Sequence, residues 1–378
     1  MIRLMTAGES HGACLIAIMD GFPAGLETDI EKIERDLKRR QRGYGRGGRM
    51  RIEDDRASIL AGSIDGKTTG APIAIQIPNR DWENWKDLWA SRSLPALTIP
   101  RPGHADYAGM TKYGLSDARP ILERASARET AARVAAGSLA KQMLAVFGVT
   151  VASYVTAIGE VRAKLPGDSP EELAARADED PVRCPSKDCG RLMTRAIDQA
   201  QEAGDALGGV FEVVATGQVV GLGSHTQWDR RLDAQLACAA MSIPAVKGVE
   251  IGPAFENAGM TSTQVQDGFL VDRDGQIRRS ANRAGGIEGG ISNGSPIVVR
   301  MAMKPIPTTR KAQPSVDLSV QCPATTQYQR SDACAVPAAS IVGEAMIAWI
   351  LANALCEKLG GDSIDEMTRH LEALRRDG

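Results

Sequence analysis

Glycine punctuation constrains this chain more than any other feature: 39 glycines lie in short clusters throughout its 378 residues and break it into brief runs. Such runs fold more readily as strands and turns than as a bundle of long helices. Ser58 to Ile77 reads as two strand-like runs around Asp65-Gly66, the hairpin dipeptide that tolerates positive φ at both positions. A similar pair flanks Asp272 to Gly275, while Gly209 to Val220 and Pro296 to Met303 are strand-like runs rich in valine and isoleucine. Helical periodicity is clearest from Ser126 to Phe147, where Ala135, Leu139, Met143 and Val146 share one face. A second helix is expected over Ala338 to Leu359, with Val342, Met346, Trp349 and Ile350 as its apolar stripe. Residues 166–204 read as a peripheral acidic helical layer without chemical interest. Helices and strands mix without regular βαβ alternation, so an α+β fold is expected over a doubly wound one.

A chain of this length can bury a sizeable core. Its 45 lysines and arginines against 47 aspartates and glutamates leave a net charge of -2, so no global field favours nucleic acid or anionic lipid. Any cation cluster is therefore local. The seven cysteines are odd in number and scattered, which suits reduced thiols better than a disulfide framework. Cys184 and Cys189 have no second ligand pair to make a zinc site. No signal-peptide pattern opens the sequence, and the apolar run Ala345 to Leu355 is too short to span a bilayer. A cytoplasmic protein without membrane or nucleic-acid partners is expected.

Arginine supplies the local charge. Arg35, Lys38, Arg39, Arg40, Arg42, Arg46, Arg49, Arg51 and Arg56 surround the stretch GYGRGG, where glycine lets backbone approach a ligand and guanidinium forks pair with carboxylate or phosphate. A solvated basic loop or an RNA-binding arginine-glycine segment reads equally from this pattern. Gly43, Gly45 and Gly48 also match GxGxxG, but a helical run precedes them and a strand-like run follows, the reverse of a dinucleotide fingerprint. His11 in GESHG and His104 in RPGHAD sit in turn-forming loops beside charged residues, open to acid–base work or to a structural role. His225 and His370 lack such company and are expected to be structural. Arg124, Ser126 and Arg128 stand where a long helix begins, a place that attracts anions and that a capping serine also explains.

In order, GESHG, RRQRGYGRG, RPGHAD, RASARET, MSIPAVKGVEIG, GGISNG, KPIPT and RSDACAVP resemble the signature set of the chorismate synthase family over nearly the whole chain. The resemblance implies a β-α-β sandwich-like single domain over 1–378, with a helical core and flanking antiparallel sheets, assembled as a homotetramer. It implies an FMN-dependent lyase that converts 5-enolpyruvylshikimate-3-phosphate to chorismate and phosphate by anti-1,4-elimination. Reduced FMN is required without net redox change, and NADPH enters as an indirect reductant, the reduced flavin coming from elsewhere. The substrate bears a phosphate and two carboxylates. One arginine about 4 Å from an anion contributes about 4 kcal/mol at an effective dielectric near 20, before desolvation, so several are needed.

Motif by motif, the resemblance implies that Arg46, Arg49, Arg101, Ser126 and Arg128, with His11, contact substrate. Arg40 and Arg46 match positions linked to NADP. Arg124, Ala125, Ser126, Pro244, Ala245, Gly289, Lys304, Pro305, Ile306, Pro307, Thr308 and Arg330 match the FMN-contacting stretches. His11 is the implied acid near the departing phosphate, His104 the implied proton donor to reduced flavin, and Asp332 the residue that helps flavin N5 accept the substrate proton. Two departures stand out: Glu123 where the family usually has glycine, and the stretch GPAFENAGM at 252–260.

Overall fold

The computed structural model describes residues 1–378 except 49–51, 92, 166, 274, 328–331 and 377–378. Two antiparallel sheets enclose a helical layer, as the resemblance implies. The first sheet orders its strands Arg3–Ala7, Cys14–Asp20, Ile73–Pro78 and Ser58–Ala61. Alternation buries one face of it: Leu15, Ala17 and Met19 lie across from Ile73, Ile75 and Ile77 with almost no exposure. The second sheet runs Val246–Ile251, Ile297–Met303, Gly209–Thr216, Thr150–Ile158 and Val161–Arg162, and turns Phe211, Val213, Ile297, Val299 and Met301 inward.

Three helices fill the space between. Thr130–Val146 packs on the first sheet and against Ile30–Gln41, while Val336–Leu359 packs on the second sheet and against Thr130–Val146. Their crossing depends on a missing side chain, because a Cβ on Gly137 would stand 2.4 Å from that of Ala345. One buried cluster extends from Ile2 to Leu371 through all these layers. Val336–Leu359 is long and apolar enough to cross a membrane, yet 83% of its most apolar window is buried by the protein itself. The expected stripe of Val342, Met346, Trp349 and Ile350 is too narrow a description of it. Burial surrounds the helix because neighbours cover it on every side.

Polar groups in this layer are joined. Glu344, on the long helix, accepts from Arg39 at 2.8 Å and from Ser153 at 2.8 Å, and also pairs with Lys141. Burial would raise its carboxyl, but the charges of Arg39 and Lys141 hold it well below the usual carboxylate range. The expected peripheral layer contains the helices Pro170–Glu179 and Lys187–Glu202 outside the second sheet. They also prop the glycine-arginine loop: Tyr44 donates its N–H to Pro181 at 2.8 Å and its hydroxyl to Asp198 at 2.7 Å. The hairpin at Asp65-Gly66 forms as expected, with φ of 49° and 74°. The pair flanking Asp272 to Gly275 is the hairpin of Phe269–Val271 with Ile277–Arg279.

Candidate active site

Both core helices Thr130–Val146 and Val336–Leu359 begin beside one cavity of about 690 Å³, within the range of small-molecule sites. Ala335, which caps the long helix, and Ala338, Ala339 and Val342 within it give the cavity an apolar wall, continued by Leu122, Ile243, Pro244 and Ala245. Arg40, Arg46, Arg101, Arg119, Arg128 and Lys304 supply its cations, against the carboxylates of Glu123 and Asp332. The site therefore suits a ligand with a flat apolar part and several negative charges.

The arginines are buried rather than displayed. Arg128, on the single turn Ala127–Glu129 capped by Ser126, donates from Nε to Asn79 at 2.9 Å and from Nη1 to Asp55. Asn79 in turn donates to the Glu9 and Gly12 carbonyls at 3.1 and 2.7 Å, so one side chain joins Arg128 to the His11 loop. Arg40 donates to Thr130 Oγ1 and to the Ala127 carbonyl, each at 2.9 Å. Its guanidinium is pushed down to about 10, chiefly by burial, partly opposed by Asp55 and further lowered by Arg128 and Arg46. Arg40 Nη1, Arg128 Nη2 and Arg119 Nε are buried and make no hydrogen bond, although Arg40 Nη1 lies 3.6 Å from Asp55 Oδ2 and Arg128 Nη2 3.5 Å from Glu53 Oε2 as ion pairs. Their hydrogen-bonding capacity is unused at those distances, which an anionic ligand can take up.

Each histidine is held by a carboxylate. His104 Nδ1 lies 2.5 Å from Asp106 Oδ1, and Arg101 grips the same carboxylate from Nε at 2.8 Å and Nη2 at 3.0 Å. Arg101 Nη2 also comes within 2.9 Å of His104 Nδ1. The carboxylate accepts hydrogen bonds from both neighbours, so the approach of Arg101 Nη2 to His104 Nδ1 is a contact between two donors. Burial would raise the Asp106 carboxyl, but these hydrogen bonds and charges hold it well below the usual range. His11 lies against Glu123 and stacks on Trp85 with ring centres 4.2 Å apart. Asp332 Oδ1 accepts from the Gly47 N–H at 2.7 Å, and Oδ2 pairs with Arg46 Nη1 at 2.8 Å, which closes the glycine-arginine loop onto the segment leading into the long helix.

Of the expected residues, His11, His104, Asp332, Arg40, Arg46, Arg101, Ala125, Ser126, Arg128, Pro244, Ala245, Lys304, Ile306, Pro307 and Thr308 line this cavity together. Arg124, Pro305 and Gly289 stand outside its lining. Arg124 is tied to Thr6 and Gly8 instead, and Gly289 turns the hairpin Ile287–Ser292. Arg49 and Arg330 lie outside the described residues. The variant stretch at 252–260 forms the short helix Ala254–Asn257 away from the cavity, with Phe255 80% exposed. His225 lies outside the lining, and His370 engages the Leu359 carbonyl at 2.8 Å. Motif reasoning missed Ser10, Trp85 and Arg119 in the lining and Asn79 behind it. Ser10 shares the glycine-flanked loop of His11, whereas Trp85, Arg119 and Asn79 have no such context.

The family model for chorismate synthase matches residues 2–356. The chain belongs to the chorismate synthase family. A chorismate synthase from Desulforudis audaxviator is 53% identical, covering 99% of this chain and 98% of that protein. One from Brevibacillus brevis is 49% identical with the same coverage. A crystal structure of a chorismate synthase superposes with a TM-score of 0.80 at 43% identity, covering 99% of this chain and 97% of that one.

Proposed function

We propose that this chain eliminates phosphate from 5-enolpyruvylshikimate-3-phosphate to give chorismate, the last step of the shikimate pathway, with reduced FMN bound in the same cavity. The observation that carries this reading is the convergence of two carboxylate-held histidines and five arginines on one cavity of about 690 Å³. When bound, reduced FMN supplies transient electron density that helps expel the allylic phosphate without net redox change.

The lining fits such a pair of ligands. Its apolar wall of Ala338, Ala339, Val342 and Pro244 suits a flat ring system, and Lys304 and Thr308 offer polar atoms in the lining. Arg40, Arg46 and Arg128 are the anion contacts for substrate. The guanidiniums of Arg40 and Arg128 are buried, a desolvation cost that phosphate or carboxylate oxygens offset on arrival. His11 holds a proton for the departing phosphate, while His104 and Asp332 handle protons on the cofactor side. Arg40 and Arg46 share this one cavity with the other arginines, so we read them as anion contacts and assign reduction of the flavin to an external reductant using NADPH. A cytoplasmic homotetramer belongs to the same reading, and the exposed apolar hairpin with Phe269, Val271 and Ile277 is a surface suited to such assembly.

An anaerobic assay of purified protein with chemically reduced FMN and the enolpyruvyl substrate tests this, following phosphate release together with chorismate absorbance. Stoichiometric release of both products is expected. Folded protein that binds flavin but releases no phosphate overturns the reading.

A further inference from the structure

Glu123 is the carboxylate at this site that neither anion binding nor proton transfer to flavin uses. It is buried, with its side chain 2% exposed, in a cavity otherwise built to attract anions. Placing a negative charge there opposes substrate binding unless it does something else. Both of its oxygens are committed to one residue. Oε2 accepts the backbone N–H of His11 at 2.8 Å, and Oε1 lies 2.8 Å from His11 Nδ1. The Glu123 carbonyl also accepts the Ser10 N–H at 3.1 Å, and Trp85 packs against the same imidazole at a tilt of 33°, with ring centres 4.2 Å apart.

We propose that Glu123 is a positioning residue that fixes the tautomer of His11, holding Nδ1 protonated so that Nε2 is the nitrogen that serves the substrate phosphate. This rests on the proposed role of His11. An ionised carboxylate can only accept, so Nδ1 must donate to it. The active acid is then an imidazolium whose Nδ1–H faces Glu123 and whose Nε2–H is delivered to the leaving phosphate oxygen. After transfer the neutral ring keeps its Nδ1–H, Glu123 stays ionised, and no proton is unaccounted for. The arrangement has the logic of a histidine–carboxylate pair in acyl transfer, here assembled between a glycine-rich loop and the helix Arg119–Ala125.

Glu123→Gln is a sharp probe because glutamine has a single oxygen. The His11 backbone N–H can only donate and claims that oxygen, so the amide NH₂ must face Nδ1 and turn it into an acceptor. The neutral ring is then forced into the Nε2–H tautomer. Nitrogen-15 NMR of ring-labelled protein, with four histidines to assign, should show neutral His11 as the Nδ1–H tautomer in the wild type and as Nε2–H in the variant. Turnover should fall about 10- to 100-fold, the scale of a lost orienting partner, with KM for substrate little changed. In a His11→Ala background the Glu123 substitution should cost no further turnover. An Nε2–H tautomer in the wild type overturns the proposal without any variant, as does normal turnover by Glu123→Gln. Normal turnover by His11→Ala refutes the role of His11 itself, a distinct failure.

Discussion

Arg40→Met separates an anion-binding arginine from a structural one, and the structure sets the magnitude. Arg40 is 4% exposed, and its guanidinium is pushed down to about 10 by burial and by the neighbouring Arg128 and Arg46. At about 1.4 kcal/mol per pH unit, the fall from the ordinary arginine value amounts to about 3 kcal/mol. The sign follows from its being a base: a depressed pKa means that the folded state resists the proton, so the cost is fully present below about pH 10 and fades as pH rises beyond it. Unliganded protein at neutral pH carries this cost, and a bound anion offsets it. Methionine removes the charge and keeps much of the volume. It sacrifices the hydrogen bonds to Thr130 and Ala127, worth about 1 kcal/mol each, and relieves the desolvation, so unliganded stability should change by less than about 2 kcal/mol. Substrate affinity should suffer the full loss, about 3 kcal/mol or roughly 100-fold in Kd. Calorimetric titration with 5-enolpyruvylshikimate-3-phosphate and thermal unfolding of the same samples measure the two quantities. A variant destabilised by more than about 3 kcal/mol that binds substrate normally would show that Arg40 serves the fold instead.

Other consequences follow from the same geometry. His11→Ala and His104→Ala should each lower turnover by about 10- to 10⁴-fold while flavin titrations remain normal, the scale of a lost general acid; wild-type turnover in both would reduce them to loop residues. Glu344 and Asp106 are held below their ordinary carboxyl values, so the stability they contribute is complete above the unfolded carboxyl pKa near 4 and is lost as pH falls further. Melting temperature should therefore drop steeply below about pH 4, and Glu344→Gln should flatten that drop while costing about 3 to 5 kcal/mol at neutral pH. Burial pushes the Cys184 thiol up to about 11 and Cys334 up to about 12, whereas Cys238 and Cys322 are exposed. Thiol titration at pH 8 should label the exposed pair first and reach Cys184 and Cys334 only on unfolding. Gly137→Val should destabilise by about 1 to 3 kcal/mol or prevent folding, because its added carbons would have to displace Ala345.

The fold was legible wherever the signal was local. Asp65-Gly66 marked a hairpin because positive φ is a property of two residues, and the alanine-rich helix announced itself by its own period. The long helix was harder. Its apolar residues suggest a single stripe because periodicity assumes a solvent side, and a helix covered all round has none. At the site, histidines and arginines stood out in glycine-rich loops, since glycine is where backbone can approach a ligand. Trp85 and Asn79 gave no such sign: their roles arise from contacts with His11 and Arg128, residues far away along the chain.

Glu123 shows the same boundary from the other side. In sequence it reads only as an acid where the family usually has glycine, with an uncertain effect on the charge near a flavin. The structure gives that charge an address, 2.8 Å from a ring nitrogen and 2.8 Å from the backbone of the same histidine. A buried carboxylate among arginines would weaken anion binding if it were free to act on the ligand. Tied at both oxygens to His11, it spends its charge on the acid that the anion's departure requires. Five arginines can hold a phosphate firmly enough to hinder its release, so a site that must also let phosphate go needs its proton donor aligned before the bond breaks.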